Sequence, residues 1–364
     1  METVELLIIG AGPAGLCAAI SAVSSGAKVM LVDRNDTLGG QLIKQTHMFF
    51  GSEKQYAATR GTDITKILLA EIEKYKENIK IYKNTTALGM YEDGVVTLAR
   101  NDKYIKVKPK AIIVATGASE KVLAFPNNDL PGIYGAGAVQ TLMNVYGVKP
   151  GNKVLMVGAG NIGLIVSYQL MQAGVKVEAI IDAAPEIGGY LVHASKIRRL
   201  GVPIYTSHIV KEAIGLDYLE KAVLIEVDEK WQKVRGTEKE IDVDVMCISV
   251  GLTPLTELLM QKGCEVKYVP ELGGLVPTRN ENYETSIDNI FVAGDVSGVE
   301  EASAAMVEGY LAGLCAADKI GFRHDDFKKL KKDYIEQLHS LRAGPESDKI
   351  RGGIAKIERR AQDV

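Results

Sequence analysis

Two stretches of this chain carry residue types at spacings that suit a defined chemistry. Gly10-Ala11-Gly12-Pro13-Ala14-Gly15 and Gly158-Ala159-Gly160-Asn161-Ile162-Gly163 both spell G-x-G-x-x-G. Each follows a short apolar run, Leu6 to Ile9 or Val154 to Val157, and each opens a helical pattern. In that setting the first glycine permits a tight turn, the second lets a pyrophosphate approach the backbone, and the third allows the helix to pack closely on the strand. The free N–H groups and positive dipole end of the helix then face the phosphates. Asp33 lies 18 residues beyond Gly15, and Asp182 lies 19 residues beyond Gly163. Both stand where a carboxylate accepts hydrogen bonds from ribose hydroxyls. A carboxylate at Asp182 repels a 2′-phosphate, which favours NAD(H) over NADP(H) at the second copy, although Arg198 and Arg199 weigh slightly the other way. The alternative for that copy is a structural unit whose pocket has closed.

The elements that must position these residues read as a repeated strand, helix, strand unit. The helical patterns Leu16 to Ser25 and Leu164 to Gly174 lead to second strands at Lys28 to Asp33 and Lys176 to Asp182. Between the copies, Ile64 to Tyr75 reads as a helix. Ile79 to Tyr82, Gly94 to Ala99 and Tyr104 to Val107 read as a small antiparallel layer. Ala111 to Ala115 is an apolar strand running into Thr116-Gly117, and the stretch with Pro126, Pro131 and Gly132 marks a crossing into a second domain. In the second half, Ala222 to Val227 and Glu240 to Val250 read as strands ending at Gly251. Asn289 to Asp295 is a further strand and turn, followed by a helical run from Ala302 to Lys319. The segment from Asp325 onward is rich in Lys, Arg and Glu, with Phe327, Leu330, Tyr334, Ile335 and Leu338 at helical spacing. It suits either a helix packed on the protein's own surface or a partner-docking helix.

Composition narrows the classes. The 364 residues exceed one typical domain, and 46% hydrophobic against 24% charged residues with 37 glycines suits a globular α/β protein. A formal charge of −3 gives no pull toward nucleic acid or an anionic membrane. No apolar run reaches the roughly 20 residues that span a bilayer, and the N-terminus lacks signal-peptide features, so a cytoplasmic location is expected. Cys17, Cys247, Cys264 and Cys315 lie far apart without a C-x-x-C pair, so no metal site and no disulfide framework is expected.

With both fingerprints and the Asp295 turn in view, the chain resembles the two-dinucleotide FAD and NAD(P) oxidoreductases related to thioredoxin reductase, over residues 1 to about 320. The matching residues include Gly39-Gly40-Gln41-Leu42, Ala115-Thr116-Gly117 and Gly294-Asp295. The resemblance implies an α/β fold with two Rossmann-like domains, the NAD domain inserted in a discontinuous FAD domain. On that plan residues 1–118 and 286–320 form the FAD domain, 119–285 the NAD(H) domain, and 321–364 a C-terminal amphipathic helix and tail. It further implies FAD contacts from Gly10, Gly12, Pro13, Ala14, Gly15, Asp33, Arg34, Gly40, Gln41, Ala87, Thr116, Gly117, Gly294, Asp295 and Ala302. For NAD(H) it implies Gly158, Gly160, Asn161, Ile162, Gly163, Asp182 and Gly251. Within this superfamily the phrase Gly40-Gln-Leu-Ile-Lys-Gln-Thr-His47 and the run Glu300 to Met306 resemble the FAD- and NAD-binding subunits of multi-subunit amine and amino-acid dehydrogenases. That group includes sarcosine oxidase, opine oxidase and hydrogen cyanide synthase.

Departures matter as much. Disulfide reductases of this kind need paired cysteines beside the flavin, and this sequence has none there. Fewer than about 70 residues follow Asp295, which leaves too little for the dimerisation domain of the larger reductases. Nothing after Cys315 could ligate an iron-sulfur cluster, so any cluster is expected on a separate protein. Lys44, Gln45 and His47 follow the implied flavin loop and are the candidates for tuning the flavin or acting on a bound substrate. The expected activity is hydride exchange between NAD(H) and FAD, with electrons traded with a substrate-oxidising flavoprotein in an oligomeric complex. The rivals are a free-standing NADH-dependent reductase of quinone, ferredoxin or oxygen, and a non-catalytic protein that binds cofactors only to hold a complex together.

Overall fold

A computed structural model describes residues 1–49 and 52–359. The chain forms two compact units, one from Met1–Ser119 together with the chain from Leu252 onward, the other from Glu120–Gly251.

The first unit begins with β1 (Glu2–Ile9), α1 (Pro13–Ser24), β2 (Val29–Val32), α2 (Gly61–Glu73), β3 (Ile79–Tyr82), β4 (Thr85–Met90), β5 (Val96–Arg100) and β6 (Lys103–Val114). Its sheet runs β3-β2-β1-β6-β5-β4. The pairs of β1 with β2 and β6, and of β2 with β3, are parallel. Those of β5 with β4 and β6 are antiparallel. Leu6, Leu7 and Ile8 are fully buried on both faces, which explains their unbroken apolar run. Three expectations need correction here. Ile79–Tyr82 is not in an antiparallel layer: after the α2 crossover it returns parallel to β2. The strand β4 was not expected at all. Tyr104 to Val107 and Ala111 to Val114 are one strand, β6, that runs through Pro109. That proline sits where one edge of β6 changes partner, so its missing N–H interrupts no ladder on that edge.

Through β7 (Ala118–Glu120) the chain enters the second unit. There β8 (Ile133–Gly135), α3 (Ala136–Asn144), β9 (Lys153–Val157), α4 (Asn161–Gln172), β10 (Lys176–Ile181), α5 (Leu191–Arg199) and β11 (Ile204–Tyr205) are followed by β12 (His208–Ile214), β13 (Lys221–Glu226), β14 (Lys239–Asp242) and β15 (Val245–Ile248). Five strands form a parallel sheet in the order β11-β10-β9-β15-β8, and β12-β13-β14 form a separate antiparallel one. The single strand expected over Glu240 to Val250 is divided between these two sheets. The break falls at Asp244, whose carboxylate accepts the N–H groups of Asn152 and Lys153 and draws the chain onto the start of β9.

The return to the first unit comes at Leu252, not at 286, so the span 119–285 expected for the nucleotide domain is too long. It adds β16 (Leu252–Pro254), α6 (Glu257–Lys262), β17 (Val266–Val269), β18 (Gly274–Pro277), β19 (Ile290–Val292), α7 (Ala302–Lys319), α8 (Phe327–Leu341) and α9 (Asp348–Ile357). The physical reason is burial: Leu259 and Cys264 pack with Leu7, Ile9 and Val114, and Leu272 and Val276 pack with Ile357. β19 joins the sheet parallel to β6. The span 321–364 holds two helices instead of one, interrupted at Pro345, and residues 360–364 lie outside the described residues. Both helices turn apolar residues onto their own unit: Leu338 and Ile357 are buried, and the Tyr334 ring stacks on Tyr310 of α7 at 5.5 Å.

One packing detail positions the site. A Cβ at Gly309 would lie 2.1 Å from the Ala14 carbonyl oxygen, and one at Gly313 would lie 2.3 Å from that of Ala18. The helices α1 and α7 therefore touch backbone to backbone, an approach only glycine allows.

Candidate functional site

In the first unit the glycine turn is locked from behind and open in front. Gly10 has φ +104, and a Cβ there would fall 2.3 Å from the Ala115 carbonyl oxygen at the end of β6. A Cβ at Gly15 would fall 1.8 Å from the Gly10 carbonyl oxygen. At Gly12 the backbone is ordinary, with φ −75, and the nearest atom to a Cβ would be the Gly40 Cα at 3.9 Å. Pro13 and Ala14 begin α1, and no side chain caps that end. The result is a helix N-terminus with uncapped donors beside a glycine that leaves space.

Asp33 is buried, and its carboxylate accepts the N–H of Ala11 at 2.7 Å and of Asn35 at 2.8 Å. This carboxylate thus also ties the glycine turn to the end of β2. Each oxygen keeps a further lone pair for a hydroxyl donor. Arg34 is exposed.

The Gly39-Gly40 segment lies directly over this turn. Gly39 donates its N–H to the Ala11 carbonyl at 2.8 Å, and a Cβ on Gly40, at φ +54, would sit 2.7 Å from the Gly12 Cα. A 3-10 turn follows over Gly40–Lys44, with Gln41 exposed. Lys44, Gln45 and His47 are half-buried, and the His47 ring stacks on Phe49 at 5.8 Å. The side-chain oxygen of Gln45 is buried and has no hydrogen-bond partner among the described residues. Thr116 donates its hydroxyl to the Leu255 carbonyl at 2.8 Å, and Gly117 turns the chain at φ +74. Ala87 is half-buried on β4, where it pairs with Leu98. Thr85, two residues earlier, sends its N–H to the Asp33 carbonyl at 2.8 Å.

Gly294 and Asp295 close the other side. At Gly294, φ is +76 and a Cβ would lie 2.8 Å from the Ala14 side chain, so this turn nests against the start of α1. Asp295 is partly buried, and desolvation pushes its carboxyl up to about 7; the Glu300 N–H opposes this, and the Glu308 and Glu300 carboxylates add to it. Ala302 begins α7, whose N-terminus no side chain caps. Beneath the turn lies a buried ionic group that the sequence reading missed. Glu308 accepts the Gly294 N–H at 2.8 Å, the Tyr283 hydroxyl at 2.9 Å and the Arg342 guanidinium at 2.6 Å. A lone carboxylate amid the small apolar residues of α7 was the available signal; Arg342 offered none.

The second unit repeats the arrangement. Gly158 has φ +116 with its Cβ position 2.1 Å from the Ser249 carbonyl oxygen, and that of Gly163 lies 2.0 Å from the Gly158 carbonyl oxygen. Nothing lies within 4 Å of a Cβ at Gly160. Asp182 accepts the N–H groups of Ala159 at 2.7 Å and Ala184 at 2.9 Å, reproducing the bonds of Asp33. The repeat runs further than the fingerprint: Gly188-Gly189-Tyr190-Leu191 stands six residues after Asp182, as Gly39-Gly40-Gln41-Leu42 stands six after Asp33. A Cβ at Gly189 would lie 2.9 Å from the Gly160 carbonyl carbon, and Asn161 accepts the Tyr190 N–H at 2.8 Å. Ile162 is exposed, and Gly251, at φ +111, ends the unit.

All four cysteines are buried and free, and burial pushes the Cys17 and Cys315 thiols up to about 12. Among the described residues there is no metal-holding group of His, Cys, Asp or Glu, and no helix long and apolar enough to cross a membrane.

The sequence profile of the pyridine nucleotide-disulphide oxidoreductase family matches residues 4–309. The chain belongs to that family. It is an oxidoreductase of an FAD-binding family, with a two-domain Rossmann fold. Within the pyridine nucleotide-disulphide oxidoreductases it is 28% identical to an opine oxidase subunit of Agrobacterium tumefaciens, over 86% of this chain and 65% of that one. It is 26% identical to the alpha subunit of sarcosine oxidase from a Corynebacterium, over 87% of this chain and 33% of that one. The crystal structure of L-proline dehydrogenase from P. horikoshii superposes with a TM-score of 0.69 and 25% identity, over 93% of this chain and 59% of that one. The chain thus spans less than two thirds of each of these proteins, two of which are named as oxidase subunits.

Proposed function

We propose that this chain exchanges hydride between NAD(H) and FAD, as the electron-transfer subunit of an amine or amino-acid dehydrogenase complex. The observation that carries the reading is the duplicated cradle: two glycine turns locked from behind and open in front, each tied to a carboxylate and crossed by a second glycine pair. When bound, FAD and NAD(H) supply the two-electron chemistry, so the chain needs no nucleophile of its own.

In the first unit the uncapped start of α1, with Gly10, Gly12, Pro13, Ala14 and Gly15, holds the pyrophosphate, and Asp33 takes a ribose hydroxyl. Gly40 and Gln41 pass beside the flavin ring, with Arg34, Thr116 and Gly117 at the margins. Ala87 stays in this set, two residues after Thr85, whose N–H bonds the Asp33 carbonyl. Asp295 faces the ribityl and phosphate region, and the N-terminus of α7 at Ala302 favours negative charge on the reduced ring. The unpartnered oxygen of Gln45 suits a ring N–H donor, and Lys44 and His47 stand on the same loop.

In the second unit Gly158, Gly160, Asn161, Ile162, Gly163 and Gly251 hold the pyridine nucleotide. The carboxylate of Asp182 selects NAD(H), because it accepts from a free 2′-hydroxyl and repels a 2′-phosphate. Disulfide reduction is not part of the proposal, since buried neutral thiols relay no electrons. The partners in this reading are a separate iron-sulfur protein and a flavoprotein that oxidises the substrate; the relatives named as oxidase subunits support the presence of partners.

The test is anaerobic absorbance of the purified flavin-loaded chain during titration with NADH and, separately, NADPH. NADH is expected to bleach the flavin band at far lower concentration than NADPH. A flavin that stays oxidised with both sinks hydride exchange and leaves an assembly role.

A further inference from the structure

The ionic group beneath the Gly294 turn joins parts of the chain distant in sequence. Arg342, near the end of α8, lies outside the span matched by the family profile. Its guanidinium donates to both oxygens of Glu300, at 2.9 and 2.7 Å, and to Glu308 at 2.6 Å. Glu300 immediately precedes the N-cap of α7, and its backbone N–H bonds the Asp295 carboxylate. Glu308 in turn accepts the Gly294 N–H. Arg342 is therefore one side chain removed from both ends of the turn that carries Asp295.

The charge balance makes this more than packing. The partly buried Asp295 and Glu300 and the buried Glu308 supply three carboxylates, against two buried guanidiniums, Arg279 and Arg342. Arg279 sits farther from Glu308, at 3.8 Å, and spends its Nε on the Ser297 hydroxyl. Tyr283, from the facing loop, donates to Glu308 and adds no charge. Without Arg342, Glu300 and Glu308 face one another with little compensation, and burial and mutual repulsion favour splaying or protonation.

We propose that Arg342 is a positioning residue for the cofactor site: as the counter-ion shared by Glu300 and Glu308, it holds the Gly294–Asp295 turn and the first turn of α7 in their binding geometry. This rests on the reading of the first unit as the FAD site. The α8 helix is then part of that site's support, and not a detachable appendage.

The test is FAD affinity of the apoprotein, read by flavin fluorescence quenching at about pH 6 and about pH 8.5. Arg342→Gln is expected to weaken binding about tenfold at the higher pH and less at the lower, relative to the unmodified chain at each pH. Adding Glu300→Gln, which removes the surplus charge, is expected to restore affinity to within about threefold. Two independent packing losses would instead make the double variant the weaker one, and that result overturns the proposal, as does wild-type affinity in Arg342→Gln. If the single variant does not fold, a folded double variant that binds FAD supports the proposal. A double variant that also fails to fold overturns it, leaving Arg342 a packing role alone. An unmodified chain that does not bind FAD overturns the cofactor reading itself.

Discussion

A valine in place of Gly160 is expected to weaken pyridine-nucleotide binding sharply while leaving the fold intact. The backbone there, at φ −74, suits a β-branched residue, and no atom lies within 4 Å of the added Cβ. On the proposed reading, the methyl groups instead fill the space through which a pyrophosphate would reach the start of α4. Affinity for NADH, measured calorimetrically, is expected to fall at least about 100-fold, or roughly 3 kcal/mol. The melting temperature is expected to stay within about 2 °C of the unmodified chain. Gly158→Val is the contrasting control, because at φ +116 with the Ser249 carbonyl oxygen 2.1 Å from its Cβ the unit itself must distort. Unchanged NADH affinity in Gly160→Val would show that this unit takes its ligand elsewhere.

Replacing Asp295 by asparagine changes how the stability of the cofactor-free chain depends on pH. The carboxyl rises from an ordinary 3.8 to about 7 on folding, chiefly through burial. Between those limits the folded state holds a proton that the unfolded state has lost, so stability falls as pH rises through this window and is level above it. The contribution is on the order of 4 kcal/mol across the whole window. A neutral amide carries no such cost, so the Asp295→Asn variant is expected to match the unmodified chain near pH 4 and to exceed it at pH 8. Urea unfolding of both proteins at several pH values measures this. Parallel stability curves would show that Asp295 is not the group responsible.

Much of the site was legible because its parts are local. Gly10, Gly12 and Gly15 stand in one turn, and their order alone states which must be tight and which open. The same holds for Gly158, Gly160 and Gly163. The second glycine pair, Gly188-Gly189, was equally local but was overlooked, since a pair of glycines without a fingerprint looks like any loop. What escaped the sequence was contact at long range. No pattern in α8 distinguishes Arg342 from the other basic residues around it, and only folding brings it to Glu308. The fold erred for a related reason: Leu259 and Leu272 are apolar residues in short elements, and nothing local says which of two cores they fill. Asp33 and Asp182 were found by spacing, yet their bonds to Ala11 and Ala159 depend on the turn geometry that spacing does not state.

The backbone contact of Gly309 and Gly313 with α1 also sets an order of events during synthesis. The second unit is one continuous stretch and can close as soon as Gly251 has left the ribosome. The first helix has no such option. Its flank at Ala14 and Ala18 stays uncovered until α7 has been made, because the surface that matches it belongs to that helix. A chain cut short before Ala302 therefore loses more than that segment: α1, translated long before, is left without the neighbour it needs to complete its fold.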